Sequence, residues 1–336
     1  MSIDEAVWQE AVDVLSHAEA VALACHVDPD GDALGSMLAL QRCLESLGIG
    51  TTASWGTNDA DGDGELAVPP QYAFLPGLDR LVTPEHFPAS PAVMVAFDTG
   101  AAERLGSLRS AADRASTLIV LDHHASGNPF GDVRLVDGSL AATAVLVDEL
   151  ITRLGGTVDR ETAMCLYTAL VTDTGRFQYA STTPGVLRLA ARLVALDIDH
   201  AAINRQVWNT HSFGYLKLLS QVLDRAQLEP QAQLLWTVVT QADLRRYGVA
   251  WQETEGLIDV LRSVETAQVA MIAKEHSDGV WKVSLRSRGD VDVGRVARDL
   301  GGGGHAFLAG LMADGDLEDL VRQVAAKVEE HSASPP

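Results

Sequence analysis

The stretch from His26 to Ser36 reads HVDPDGDALGS and sets one imidazole and three carboxylates within seven residues. Groups of this kind, so closely spaced, are what a divalent cation needs. Asp28, Asp30 and Asp32 alternate as in a calcium loop, but such a loop requires glycine at its sixth position and a bidentate glutamate at its twelfth. Counted from Asp28, those positions are Ala33 and Ala39. A second acidic stretch, GTNDADGDGELAVPP (56–70), has Gly64 in place but Pro70 where the glutamate belongs, and reads as a solvated surface turn. Histidine mixed with aspartate suits a borderline ion such as Mn²⁺, Co²⁺ or Zn²⁺ better than calcium.

The spacing H-x3-D-x-D lets His26 and Asp30 face one ion while Asp32 faces a second. Asp98, His123 and Asp173 could complete the pair, with one carboxylate bridging. Two such ions, about 3.5–4 Å apart, would clamp a water or hydroxide and both oxygens of an in-line displacement at phosphorus. Each residue alone has an ordinary structural reading: His26 as a core histidine, Asp98 or Asp173 as a helix cap, Asp122-His123-His124 as a polar turn. Four clusters in one chain, three of them where an apolar run ends, favour the metal site.

Those runs are the elements that must position the cluster. AVALAC (20–25) leads into His26 and is followed by a helical pattern, ALGSMLALQRCLESLG, that stops at Gly48. VMVAF (93–97) ends at Asp98, and TLIVL (117–121) ends at Asp122-His123-His124. Short, nearly all-apolar runs read as buried parallel strands with helices on both faces. Ligands of such sheets sit beyond the carboxyl ends of the strands, where these polar residues fall. RETAMCLYTALVTDTGRF predicts a long helix with Asp173 near its end. An α/β fold is expected, with a parallel-sheet first domain (1–190), a helical connector (191–228) and a smaller α/β second domain (229–331). In the last, LLWTVVT, AQVAMIAKE and VWKVSLRSR read as strands, EGLIDVLRSV and VDVGRVARDLG as helices.

With 336 residues, 47% hydrophobic and 21% charged, the chain has the make-up of a globular protein of two domains. No apolar run approaches the roughly 18 residues of a membrane span, and the acidic, amphipathic start lacks the pattern of an export signal. Three cysteines without C-x-x-C spacing point to neither disulfides nor a zinc knuckle. A cytoplasmic protein is expected. Lys and Arg number 25 against 46 Asp and Glu, a formal charge of −21 that would repel a long polyanion. Any nucleic-acid partner should be small, and no long duplex or membrane partner is expected. From Arg262 to Arg298, however, seven basic residues face five acidic ones, a local excess suited to one or two phosphates.

The motifs HVDPDGDALGS, FDTG (97–100), LDHH (121–124) and TDTGRF (172–177) resemble, in order, the four motifs of the DHH phosphoesterase superfamily. GGGGH (301–305), after VSLRSRGDVDVGRVA, resembles the hallmark of that superfamily's associated C-terminal domain. The likeness spans essentially the whole chain and is nearest to the oligoribonuclease and pAp phosphatase branch. The resemblance implies an active cleft between the two domains and two divalent ions, most naturally Mn²⁺. His26, Asp30 and Asp98 would hold one ion. Asp32, Asp98, His123 and Asp173 would hold the other, with Asp98 as bridge. Asp28 matches no ligand position, and Asp122 would fix a nearby imidazole. Asp98, His123 and His124 would be catalytic, with His124 meeting a phosphate oxygen. Arg286, Gly302, Gly303, Gly304 and His305 would bind substrate phosphate. HAFLAG departs here from the family's usual H-x-x-A-A-G.

The implied activity is attack of a bridging hydroxide on short nucleotides: RNA of a few residues to 5′-mononucleotides, and pAp to AMP. Turnover of cyclic di-AMP or pApA is the alternative. An inorganic pyrophosphatase is disfavoured by the glycine–histidine motif, and a non-catalytic nucleotide sensor by the complete set of six ligand candidates. A homodimer is also implied.

Overall fold

The structure, a computed structural model, describes residues 3–57, 66–124, 128–277, 279–304 and 306–332. Residues 58–65, the middle of the acidic turn, and His305 lie outside the described residues. The chain divides into two compact units, Met1–Asn209 and Thr210–Pro336. The division falls inside the stretch expected as a connector, so its helices are shared between the two units.

The first unit runs α1 (Glu5–Ser16), β1 (Ala20–Cys25), α2 (Gly31–Ser46), β2 (Gly50–Trp55), β3 (Val93–Phe97), α3 (Arg109–Ala112), β4 (Thr117–Asp122), β5 (Val133–Val136), α4 (Thr143–Arg153), α5 (Arg160–Asp173), α6 (Pro184–Val194) and α7 (His200–Trp208). Its five strands form a wholly parallel sheet in the order β2-β1-β3-β4-β5. The all-apolar runs are explained by alternation between two cores. Val21, Leu23, Cys25, Val93, Val95, Phe97, Ile119 and Leu121 enter the core shared with α2, α4 and α5. Ala22, Ala24, Met94, Ala96, Leu118 and Val120 pack on the other face against Leu105, Leu108, Ala111 and Ala112 of short helical turns. Burying both faces lets each fully enclosed Leu, Val or Phe contribute about 1.5–3 kcal/mol.

Register decides where the polar residues emerge. Cys25 pairs with Phe97, and Phe97 with Leu121, so β1 and β3 end level and β4 runs one residue further, to Asp122. The next residues, His26, Asp98 and Asp122, therefore lie side by side at this edge, Asp122 still paired with Val136 of β5. Asp98 extends the ladder by one bond, its N–H donating to the Leu121 carbonyl at 2.9 Å.

The second unit contains α8 (Phe213–Asp224), β6 (Gln227–Glu229), β7 (Leu234–Val239), α9 (Gln241–Tyr247), α10 (Leu257–Arg262), β8 (Val269–Ser277), β9 (Val280–Ser287), α11 (Val293–Asp299), β10 (Gly303–Gly304), β11 (Leu308–Asp314) and α12 (Leu317–Ser332). Its sheet, β10-β11-β9-β8-β7-β6, is antiparallel except for β7–β8. One face packs on α11 and α12, the other on α8, α9 and α10. No helix among the described residues is long and apolar enough to cross a membrane.

Helix α2 is buried along almost its whole length, and it meets α5 at two glycines. A Cβ on Gly35 would lie 2.4 Å from the Cys165 carbonyl oxygen, and one on Gly31 would lie 2.6 Å from the Thr172 side chain. This close approach brings the start of α2 beside the end of α5. Replacing Gly35 with alanine must push the two backbones apart. Overpacking of about 1–3 kcal/mol should outweigh the helix-propensity gain of about 1 kcal/mol. Gly35→Ala should therefore lower the urea midpoint, and an unchanged or raised midpoint would show that the helices can separate freely.

Candidate metal centre

Six side chains from five segments converge at the carboxyl edge of the parallel sheet. Asp30 is the N-cap of α2, its Oδ1 accepting from the Asp32 and Ala33 N–H groups at 3.0 Å. Capping thus orients one carboxylate toward the edge, and Asp32 follows two residues later in the first turn. Its burial is complete, and its oxygens accept from Ser36 Oγ at 3.0 Å and from the Thr143 and Ala144 N–H groups at 2.6 and 3.0 Å. The N-terminus of α4 therefore holds Asp32 with two orphan amides and its dipole.

Asp98 occupies left-handed backbone, φ 56°, and so does Asp28, φ 51°. Aspartate tolerates this better than most residues, but the conformation still costs about 1–2 kcal/mol. It turns the Asp98 carboxylate so that its two oxygens serve different neighbours. Oδ2 lies 3.6 Å from His26 Nε2, while Oδ1 lies 3.5 Å from His123 Nε2 and accepts from Thr143 Oγ1 at 2.9 Å. His26 Nε2 also stands 4.0 Å from Asp30 Oδ2, and His123 Nε2 stands 3.8 Å from Asp32 Oδ2 and 2.9 Å from Asp173 Oδ2.

Two donor sets result, His26–Asp30–Asp98 and Asp32–His123–Asp173, each with its ligand atoms within 4.8 Å of one another. Asp98 and His123 also share a third such set with His124. Both imidazoles have the tautomer a metal requires: His26 Nδ1 meets the Val27 carbonyl at 2.7 Å and His123 Nδ1 the Leu140 carbonyl at 3.2 Å. A carbonyl can only accept, so each Nδ1 carries a proton, which leaves Nε2, the nitrogen facing the carboxylates, as the one that a metal would take. The donors, nitrogen and oxygen mixed and four of them anionic, fit two divalent cations in charge and in kind.

Electrostatics points the same way. Burial, reinforced by Asp98, pushes the Asp32 carboxyl well above the usual range, and burial raises Asp173 as well. For His123, burial opposes protonation, yet Asp173 and the other carboxylates hold its pKa well above the ordinary value. Asp98 is also buried, but hydrogen bonding from His26 and the neighbouring imidazoles keep it below the usual range. Without cations, the crowding of carboxylates favours the protonated forms of Asp32, Asp173 and His123.

His124 lies beside this pair of donor sets. Its Nδ1 meets Asp122 Oδ1 at 2.6 Å and lies 3.7 Å from Asp98 Oδ1. Burial disfavours the imidazolium, but the Asp122 hydrogen bond together with the charges of Asp98 and Asp122 outweighs this, and the pKa is raised. Asp122 thus orients His124 rather than a ligand of either principal set.

Thr143 was not singled out in the sequence, although it donates to both Asp32 and Asp98. Its only signal there is a small polar residue opening a helical pattern, which any helix start shares. In the second unit, Arg286 is partly buried on β9. Its Nη1 donates to the Leu285 carbonyl at 3.1 Å, and its Nε is buried without a partner among the described residues. A Cβ on Gly302 or Gly304 would lie 2.3 or 2.4 Å from the carbonyls of Gly310 or Leu308, whereas Gly303 faces open space. Two of the three glycines are thus demanded by packing against β11. The Gly302 N–H, moreover, already donates to the Ala297 carbonyl at 2.8 Å.

Known proteins resemble this chain in sequence and in fold. The "DHH family, N-terminal domain" matches residues 20–170 and the "DHHA1 domain" residues 233–330. The bifunctional oligoribonuclease and PAP phosphatase NrnA of Thermus thermophilus is 34% identical over 310 residues, covering 92% of this chain and 89% of that protein. The protein of the same name from Bacillus subtilis is 25% identical over 305 residues, covering 90% and 91%. Among solved structures, an exopolyphosphatase-related protein from Bacteroides fragilis has the same fold, with a TM-score of 0.87 over 98% of each chain at 24% identity.

Because the pKa values of Asp32, Asp173 and His123 are raised in the metal-free protein, and a ligand must be deprotonated, cations and protons compete for these groups. Divalent binding should therefore release protons and weaken as pH falls below neutrality. Calorimetric titration with Mn²⁺ in buffers of different ionisation enthalpy measures the release. Binding that is independent of both pH and buffer would contradict the site.

Proposed function

This chain belongs to the DHH family of phosphoesterases, and we propose that it is a Mn²⁺-dependent hydrolase of short nucleotides, cleaving RNA of a few residues to 5′-mononucleotides and pAp to AMP. The observation that carries this reading is Asp98, whose two carboxylate oxygens face two separate donor sets. That is the arrangement a bridging ligand needs. Relatives named for oligoribonuclease and pAp phosphatase activity support the substrate class.

Two Mn²⁺ ions held by His26, Asp30, Asp32, Asp98, His123 and Asp173 would supply an activated water and neutralise charge on the phosphoryl group. The protein's own side chains do the rest. Asp98 holds both donor sets together, and Thr143 and the α4 amides keep Asp98 and Asp32 in place. His124, its pKa raised by Asp122, supplies a proton or a positive charge to a phosphate oxygen. An imidazole whose pKa is raised holds its proton more firmly and can present it to the departing oxygen of a phosphoester. Arg286 and the Gly302–Gly304 backbone, with His305 carried from the sequence motif, would hold substrate phosphate. A guanidinium can do so bidentately.

Asp98→Ala should abolish turnover of every substrate, a loss of several orders of magnitude, because it removes the ligand common to both ions. Near-normal activity in metal-replete Asp98→Ala would sink the two-ion reading. In the wild type, kcat/KM should fall as RNA lengthens beyond a few nucleotides, as the charge of −21 and the small basic neighbourhood require. A panel of pAp, pApA, cyclic di-AMP, RNAs of increasing length and pyrophosphate, with Mn²⁺ or Mg²⁺, measures this. Equal efficiency on a dinucleotide and a long single strand would overturn the preference for short substrates.

A further inference from the structure

The glycine run of the second unit is tied down at both ends. Gly301, φ 84°, and Gly302 close α11 as a Schellman turn, their N–H groups donating to the Arg298 and Ala297 carbonyls at 3.1 and 2.8 Å. Beyond the run, the Val293 N–H donates to the Ala306 carbonyl at 3.0 Å, and the Ser287 N–H to the Phe307 carbonyl at 2.9 Å. The chain thus returns from the last turn of α11 to its first. Glycine has a structural reason at three of the four positions. Gly301 needs its left-handed backbone, and Gly302 and Gly304 have no room for a Cβ. Gly303 has neither need: its φ is not left-handed, and a Cβ there would meet nothing. The fold does not require glycine at Gly303; close approach of a ligand to that backbone would.

Two arginines reach this segment, one from the sheet and one from the helix. Arg286 on β9 stands opposite Leu308 in the strand register, and the Leu308 carbonyl oxygen lies 2.4 Å from where a Gly304 Cβ would be. The Gly304 carbonyl in turn accepts from Arg298 Nη1 at 3.5 Å. Arg298 sits in the last turn of α11 and is exposed. That long hydrogen bond occupies one of its several N–H donors, and no carboxylate among the described residues pairs with it. Its acidic neighbours in sequence are engaged elsewhere. Asp299 pairs with Lys327 at 3.3 Å and His331 at 3.1 Å, and Asp292 caps α11 and pairs with Arg295 at 3.4 Å. A cation at a helix C-terminus complements the dipole wherever its side chain lies. This one brings its tip to Gly304, beside the one glycine of the run that the fold leaves unexplained.

We propose that Arg298 binds a phosphate of the substrate together with Arg286 and the Gly303 backbone, and that the group held there is a phosphomonoester. Such a group carries a charge of about −1.5 to −2 near neutral pH and several acceptor oxygens, enough to occupy two guanidiniums. This deepens the proposed function and rests on its reading of Arg286 and the glycine run as phosphate contacts. Arg298 is a binding residue: it captures the phosphate and contributes no ligand to the metal centre.

The test is equilibrium binding of AMP, a phosphomonoester, and of adenosine, which lacks the phosphate, to the metal-free protein. Wild type should bind AMP at least about tenfold more tightly than adenosine. Arg298→Gln should weaken AMP about tenfold, the worth of one charge-assisted hydrogen bond. Adenosine affinity and the urea midpoint should not change, because glutamine keeps an amide donor for the Gly304 carbonyl. Arg298→Lys should recover part of the loss, and Gly303→Ala should weaken AMP without lowering the midpoint. Arg298→Gln that binds AMP as wild type does, or that weakens AMP and adenosine alike, overturns the proposal. So does a wild type that does not distinguish the two ligands. Binding is read without metal or turnover, so a wild type that shows this preference yet hydrolyses no nucleotide refutes the hydrolase reading alone.

Discussion

Concentrating Asp32, Asp98 and Asp173 in one largely buried volume is the constraint around which the first unit is built. Carboxylates so close repel one another, and burial removes the water that would screen them. The surrounding structure answers with donors: two amides from the start of α4, the Thr143 and Ser36 hydroxyls, and the imidazoles of His26, His123 and His124. These leave a deficit of positive charge, which raises the pKa values of Asp32, Asp173 and His123 and which divalent cations would relieve. The same deficit that makes the site costly to fold makes it a cation trap.

The parallel sheet makes this arrangement possible at modest strain. Three strands in register deliver His26, Asp98 and Asp122 in a row, and the left-handed turn at Asp98 aims its carboxylate across that row. The remaining ligands come from helices whose placement depends on packing. Asp30 and Asp32 open α2, Asp173 closes α5, and the glycine contacts between these helices bring the two ends together. Site and core are therefore linked: a change at Gly35, inside the helix interface, acts on the spacing of the ligands.

The second unit solves a different electrostatic problem. It gathers cations in a strongly acidic chain, bringing Arg286 of β9 and Arg298 of α11 to the backbone of Leu308 and Gly304. Its glycine motif has two purposes. Gly302 and Gly304 let β10 approach β11 closely, while Gly303, like Gly301 before it, faces open space.

Much of this was legible in the sequence because it is local. The strand runs 20–25, 93–97 and 117–121 were visible as apolar stretches ending in ligand-type residues, and buried strands closing at polar side chains leave few other readings. H-x3-D-x-D carries its chemistry within one turn of chain, so the candidate ligands could be named without coordinates. What folding alone decided is everything that depends on partners distant in sequence. Thr143 stands 111 residues from Asp32 and 45 from Asp98, and nothing in a small residue at a helix start announces that it will hold both. The pairing of Asp122 with His124, the division of the Asp98 oxygens between two donor sets, and the approach of Arg286 and Arg298 to one glycine turn arise from strand register and backbone dihedrals. Residue types determine what chemistry is available; hydrogen-bond register and close helix packing determine which atoms meet.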